Sequence, residues 1–145
     1  MKRKFLSIVT FILVAIMSVF SFAGCKETGD FNAKIVEMTE TVVVIEVTSI
    51  EKGNPTLLKV MENLQEQGKL NFTLKGTMVQ SINGAENKSD WSAWWALYTS
   101  DSEMANNEWG TYDYGGQTLG SAIVGADALE VMAGQIYVWV YTTNG

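Results

Sequence analysis

Hydrophobic positions along this chain recur at two periods, and the switches between them mark out its elements. From Thr41 to Ile50, Val43, Ile45 and Val47 fall in phase against Glu46 and Thr48, which predicts a strand. Asn54-Pro55 then opens a helix, with Asn as cap and Pro tolerated in the first turn. Leu57, Leu58, Met61 and Leu64 form its apolar stripe, Lys59, Glu62, Asn63 and Glu66 its wet face, and Gly68 its stop. Leu70, Phe72 and Leu74 alternate with Asn71, Thr73 and Lys75, a half-buried strand. Gly76 turns the chain, residues 77–83 continue extended, and Asn83-Gly84 opens a polar loop through Asp90.

The stretch from Trp91 to Ser100 differs from the others. Trp91, Ala93, Trp95 and Leu97 alternate with Ser92, Trp94, Ala96 and Tyr98, so both faces are largely apolar and both must be covered. Asp101 to Gln117 reads as a long acidic loop, with Trp109, Tyr112 and Tyr114 arguing against disorder. Leu119 to Val124 is a short strand. Residues 135–143 close the domain, with Ile136, Val138 and Val140 on one face and Tyr137, Trp139 and Tyr141 on the other. One helix after the first strand, among five or six strands, predicts an α+β fold. All five tryptophans and all five tyrosines lie between Trp91 and Tyr141, which places the densest packing and the expected binding surface in the last third.

The N-terminus has its own pattern. Met1-Lys2-Arg3-Lys4 precedes an apolar run from Phe5 to Phe22, followed by Ala23-Gly24-Cys25. A basic start, a hydrophobic segment and small residues at the exit describe an export signal. Ala23-Gly24-Cys25 resembles the lipobox of bacterial lipoproteins, which implies cleavage before Cys25 and acylation of its thiol; Phe22 departs from the aliphatic residue usual there. Two other readings stand beside it. Ser21-Phe22-Ala23 is also a small-x-small cleavage site for a secreted protein, and the segment could stay uncut as an anchor. The expected partition is a signal over residues 1–24, a lipidated cysteine and tether over 25–40 (the mostly polar Lys26 to Met38), and one domain over 41–145. Each reading puts the domain outside the cytoplasm, and the lipobox anchors it to the outer face of the cytoplasmic membrane.

Charge and cysteine content then narrow the partners. Loss of Lys2, Arg3 and Lys4 with the signal leaves seven lysines against sixteen acids, a net of −9 on 121 residues. Such a surface repels phosphate backbones, so nucleic acid is not a partner and membrane contact falls to the lipid anchor. A single cysteine allows no disulfide within the chain, so stability comes from the core.

Candidate chemistry is sparse. Histidine is absent, which removes histidine-based triads, His zinc sites and haem ligation, and no cofactor is expected. Asp101, Glu103, Asn106, Asn107, Glu108 and Asp113 could wrap a calcium ion, but their spacing fits no EF-hand, and a solvated acidic loop is the favoured reading. No carboxylate pair is singled out for hydrolysis, which leaves a carboxylate hydrolase as a remote alternative. Trp95, Leu97, Ile82 and Val138 are expected in the core. Trp94, Tyr98, Trp109, Tyr137, Trp139 and Tyr141 exceed what one small core needs, and surplus exposed aromatics mark a ligand or partner surface. For the Tyr137, Trp139 and Tyr141 row, cover by the helix is the competing explanation.

Gly76 and Val79, Ser81-Ile82-Asn83-Gly84, Trp94-Trp95-Ala96-Leu97-Tyr98, Ser121-Ala122, Gly125, Leu129, Gly134 and the run from Tyr137 to Tyr141 occur in an order that resembles the transcobalamin-like C-terminal domain. That family includes the small domain of the B12 carriers transcobalamin and intrinsic factor, and bacterial surface proteins of undefined function. The likeness runs from about Thr41 to Tyr141. It implies a β-grasp-like fold, with one helix packed on a mainly antiparallel sheet of five to six strands. It also implies a non-catalytic surface lipoprotein that binds a bulky, flat ligand, a corrinoid (cobalamin) first. Trp94, Tyr98 and Trp109 would stack on that ligand, and Tyr114-Gly115-Gly116 would let backbone approach it. The family's frequent Asn-Gly after the tryptophan strand is replaced by Thr99-Ser100-Asp101, and its Gly-Asp before the closing strand by Gly134-Gln135. With no helical partner domain in the chain, a membrane or transporter protein would complete the site. The alternative is a protein-interaction or cell-surface assembly module.

Overall fold

A computed structural model describes residues 30–144; the expected export signal, Cys25 and the first residues of the expected tether lie outside the described residues. The elements run β1 (Phe31–Met38), β2 (Val42–Ile50), α1 (Leu57–Glu66), β3 (Phe72–Lys75), β4 (Met78–Ile82), β5 (Ala85–Glu86), β6 (Ala93–Thr99), a 3-10 turn (Ser102–Met104), β7 (Ala105–Tyr114), β8 (Gln117–Ala122) and β9 (Ile136–Thr143). Six strands form one sheet in the order β1-β2-β9-β6-β8-β7, and β3-β4-β5 form a second, smaller sheet. The strand pairings within both sheets are antiparallel, and with one α-helix among the described residues the class is α+β.

The expected tether needs correction over its second half. Residues 31–38 are an edge strand whose Ile35 pairs with Ile45 of β2. Phe31 is buried, and Ala33 and Ile35 pack partly buried against the core, while Asn32 and Lys34 face water. The period-two signal is there, spread thinly among polar neighbours. Register shifts after Asn32 and after Ile35 twist this edge, and Lys34 and Glu37 charge it, both of which discourage pairing with another chain.

Helix α1 starts two residues later than Asn54-Pro55 suggests. Thr56 is the cap, its Oγ1 accepting the Lys59 N–H at 3.3 Å. The reason is tertiary. The N–H groups of Leu57 and Leu58 donate to the carbonyls of Leu129 (2.8 Å) and Ala126 (2.9 Å), so a neighbouring turn satisfies the first free donors. At the other end Gly68 has φ +73°, Lys69 N–H donates to Leu64 O and Gly68 N–H to Gln65 O, the paired bonds of a Schellman stop. Leu57, Val60, Met61 and Leu64 are fully buried. They share one core with Val43, Ile45 and Val47 of β2, Trp95 and Leu97 of β6, and Tyr137 and Trp139 of β9. Tyr137 and Trp139 are thus buried in the core that the helix shares.

The far face of the same sheet has a smaller core of Val44, Val138 and Leu119, flanked by Tyr98, Tyr112 and Tyr114. Its cover comes from the segment read as an acidic loop, a second correction. Residues 105–114 are β7, hairpinned to β8 through Gly115 and Gly116 at φ +59° and +80°, a two-residue turn matched to strand twist. The strand was concealed by its polar outer side and by an insertion. Asn106 pairs with Ser121 and Thr111 with the adjacent Gly120, so residues 107–110 bulge out of the ladder. Asn83-Gly84 makes a similar turn between β4 and β5 rather than opening a loop.

Candidate functional site

A concavity walled by three tryptophans lies where the small sheet meets β6 and the turn at residues 124–127. It is a cleft of about 260 Å³ whose walls include Met78 of β4, Trp91, Trp95 of β6, Trp139 of β9, Asn87 and Asp127. Trp95 and Trp139 are 6% and 5% exposed, whereas Trp91 at the mouth is 52% exposed. Two buried indoles and one open indole thus serve one hollow.

The two buried indoles differ in one respect. Trp95 Nε1 donates to the Ala85 carbonyl at 2.8 Å. Trp139 Nε1 is buried and has no acceptor among the described residues. A buried N–H without a partner costs about 1–3 kcal/mol, so this donor would be satisfied by a water or a ligand oxygen that reached it. Trp91 carries a second anomaly, φ +58°, a left-handed backbone that a bulky side chain rarely adopts. Its N–H donates to Lys88 O at 3.0 Å and its carbonyl accepts from Asn144 Nδ2 at 3.0 Å. On either side, Asp90 Oδ1 accepts from the Ser92 hydroxyl (2.7 Å) and the Ser92 N–H (3.0 Å), which holds the Asp90 carboxyl below its ordinary range. The strain is kept in place by these four bonds, and it sets the indole at the opening.

The floor is polar but satisfied. Asn87 Nδ2 donates to the Val79 carbonyl (2.9 Å), and its Oδ1 accepts the Trp95 N–H (2.8 Å). Asp127 stands exposed on the opposite wall, its Oδ1 close above Gly125. It is the one charged residue in the lining.

The aromatic set expected from sequence sits elsewhere. Trp94 and Tyr98 are half-buried on the other face of β6 from Trp95. The Tyr98 ring lies 5.7 Å from that of Tyr112, and a Cβ on Gly110 would approach its hydroxyl to 3.8 Å. Trp109 rides the 107–110 bulge and is 65% exposed. Tyr114 leans on Glu37 of β1; burial, then that carboxylate's charge and hydrogen bond, push its hydroxyl above the ordinary value. Gly115 and Gly116 form the hairpin tip with open space around them. These six line a surface from β6 to the hairpin tip and none lines the cleft. Trp91, Met78 and Asp127 were not singled out for binding from sequence, since nothing local to them announces a shared hollow.

Asp101 and Asp113 are spent on local structure. Asp101 Oδ1 caps the 3-10 turn through Glu103 N–H (3.1 Å), and Asp113 Oδ1 accepts from the Thr118 hydroxyl (2.7 Å). Among the described residues no three metal-ligating side chains converge on one point. Compared with known protein families, with curated proteins and with solved structures, the chain matches none.

Proposed function

We propose that this chain is a non-catalytic, extracytoplasmic lipoprotein, held through Cys25, whose folded domain binds a small molecule in the indole-lined cleft. The observation that carries the reading is the partnerless N–H of buried Trp139 in the cleft wall. The strained Trp91 at the mouth supports it, since backbone strain of about 1–3 kcal/mol persists where the position of a side chain matters. The order of hairpin, helix and further strands is in keeping with a β-grasp-like, transcobalamin-like domain. A hollow of about 260 Å³ is below the range of roughly 300–1,000 Å³ typical for drug-sized ligands. A corrinoid would therefore seat only a peripheral group there and would leave its macrocycle to a second protein.

A second reading, a protein-interaction module, rests on the other face. Trp109 is 65% exposed on a bulge beside Tyr98 and Tyr112, and exposed tryptophans are frequent binding anchors. Stacking by Trp94, Tyr98 and Trp109, with backbone approach at Tyr114, Gly115 and Gly116, belongs to this face.

Titration of the full chain with cobalamin and with small polar-tipped ligands, followed by tryptophan emission, separates the two. A cleft ligand shifts the emission, and Trp139→Phe weakens it about tenfold, the worth of one good hydrogen bond. If Trp109→Ala abolishes binding while Trp139→Phe leaves it unchanged, the cleft reading is wrong.

A further inference from the structure

Resting on the cleft reading above, we infer that the cleft takes a small organic cation, of the quaternary-ammonium class, carrying a hydrogen-bond acceptor. Three features of the walls converge on that chemistry. Trp91, Trp95 and Trp139 bring three indoles to one hollow, and indole faces attract cations through their quadrupole more strongly than phenyl or phenol rings. Among the described residues the lining holds one carboxylate, Asp127, and no lysine. The chain as a whole is acidic, so its field also favours a positive ligand.

The acceptor follows from a separate observation. Trp139 Nε1 is buried with no partner among the described residues, and a ligand oxygen that reached it would satisfy it. A methylated ammonium cannot accept a hydrogen bond, so the ligand must carry the oxygen as a second group. Met78 and Leu97 complete the wall with apolar surface, which suits N-methyl groups and does not suit a strongly hydrated primary ammonium. The nearest concentration of opposite charge is an adjoining hollow of about 190 Å³ that shares Met78, Asn87 and Trp91 with the cleft and adds Lys75 and Lys88. Anion binding, if it occurred, would belong there.

Choline and 3,3-dimethylbutan-1-ol have the same shape and the same hydroxyl and differ in charge, so they isolate the inference. Both are titrated into the full chain in a non-ionic detergent by calorimetry, with 3,3-dimethylbutyrate as the anionic counterpart. Choline is expected to bind at least tenfold more tightly than the neutral alcohol. Asp127→Asn should remove most of that preference, and Trp91→Leu should weaken choline more than the alcohol. Equal affinity for choline and the alcohol leaves the cleft standing and overturns the cation. Tighter binding of the butyrate overturns it too, in favour of Lys75 and Lys88. If none of the three binds while another small ligand shifts tryptophan emission in a Trp139-dependent way, the cation class fails and the cleft survives. Absence of all binding removes both.

Discussion

The side-chain oxygen of Asn87 accepts the backbone N–H of Trp95 at 2.8 Å, and with the bonds from Trp95 Nε1 to the Ala85 carbonyl and from the Tyr141 hydroxyl to the Glu86 carbonyl it ties the small sheet to the large one. The same side chain donates to the Val79 carbonyl at 2.9 Å and is itself buried, so both of its polar ends are used. Asn87→Ala would leave a buried N–H and a buried carbonyl unmet, each costing about 1–3 kcal/mol. The expected loss is about 2–4 kcal/mol in urea unfolding, with weakened binding of any cleft ligand. A loss below about 1 kcal/mol would mean that water reaches the floor and that the two sheets are not joined there.

Trp91 offers a way to separate position from packing. With φ at +58° it adopts a backbone that an L side chain disfavours by roughly 1–2 kcal/mol and that glycine accepts freely. Trp91→Gly should therefore be more stable than Trp91→Ala by about 1 kcal/mol, although alanine normally outranks glycine. Both variants should lose cleft binding, because both lack the indole at the mouth. Thermal unfolding of the pair decides the backbone question. Equal or reversed stabilities would show that the turn relaxes once the ring is gone.

How much of this was readable beforehand depends on whether neighbours in sequence are also neighbours in space. The strand at Val43, Ile45 and Val47, the helix at Leu57 to Leu64, and the closing strand at Ile136 to Val140 obey local periods, and each appears close to its expected bounds. β1 and β7 do not announce themselves, since both are edge strands wet on one side and interrupted by bulges. The surplus of aromatics was legible as a number. Its distribution was not, because β6 is apolar on both faces and alternation cannot say which face borders a hollow. Trp139 reaches the cleft only because β9 pairs with β6, putting Leu97 opposite Trp139, a contact 42 residues long in sequence. The orphaned N–H is visible only in three dimensions.

Tyr137 makes the fold sensitive to alkali. It is fully buried, its oxygen accepts the Met132 N–H at 2.8 Å, and its hydroxyl is pushed up to about 12, by burial first and then by the charge of Asp101, with the Met132 bond pulling the other way. An unfolded tyrosine ionises near 10. Its contribution is therefore complete below about pH 10 and is lost as pH climbs toward about 12, where the unfolded chain holds fewer protons than the folded one. The loss is on the order of 2–3 kcal/mol. Tyr137→Phe should flatten that alkaline limb while costing about 1 kcal/mol at neutral pH for the stranded Met132 N–H. Urea midpoints at pH 8, 10 and 11 test it; parallel curves for the two proteins would exclude Tyr137 as the source.

Gly120 fixes the bulge that carries Trp109. It pairs with Thr111 on one side and Thr99 on the other, at the step where β7 throws out residues 107–110. A Cβ at Gly120 would run into the side-chain oxygen of Asn107 and would stand 2.8 Å from the Ala105 Cβ, so the bulge must move to admit even a methyl group. Overpacking of this kind typically costs 1–3 kcal/mol. Gly120→Ala should lower stability by that amount and, because Asn107 begins the bulge, alter the exposure of Trp109. Acrylamide quenching in a variant that keeps Trp109 but replaces Trp91 and Trp94 reads the second effect. A protein-interaction surface on this face would then lose its partner, whereas binding in the cleft, on the opposite side of β6, would be unaffected. The two faces are thus separable by one methyl group, and a variant that loses cleft binding as well would show that they communicate through the sheet.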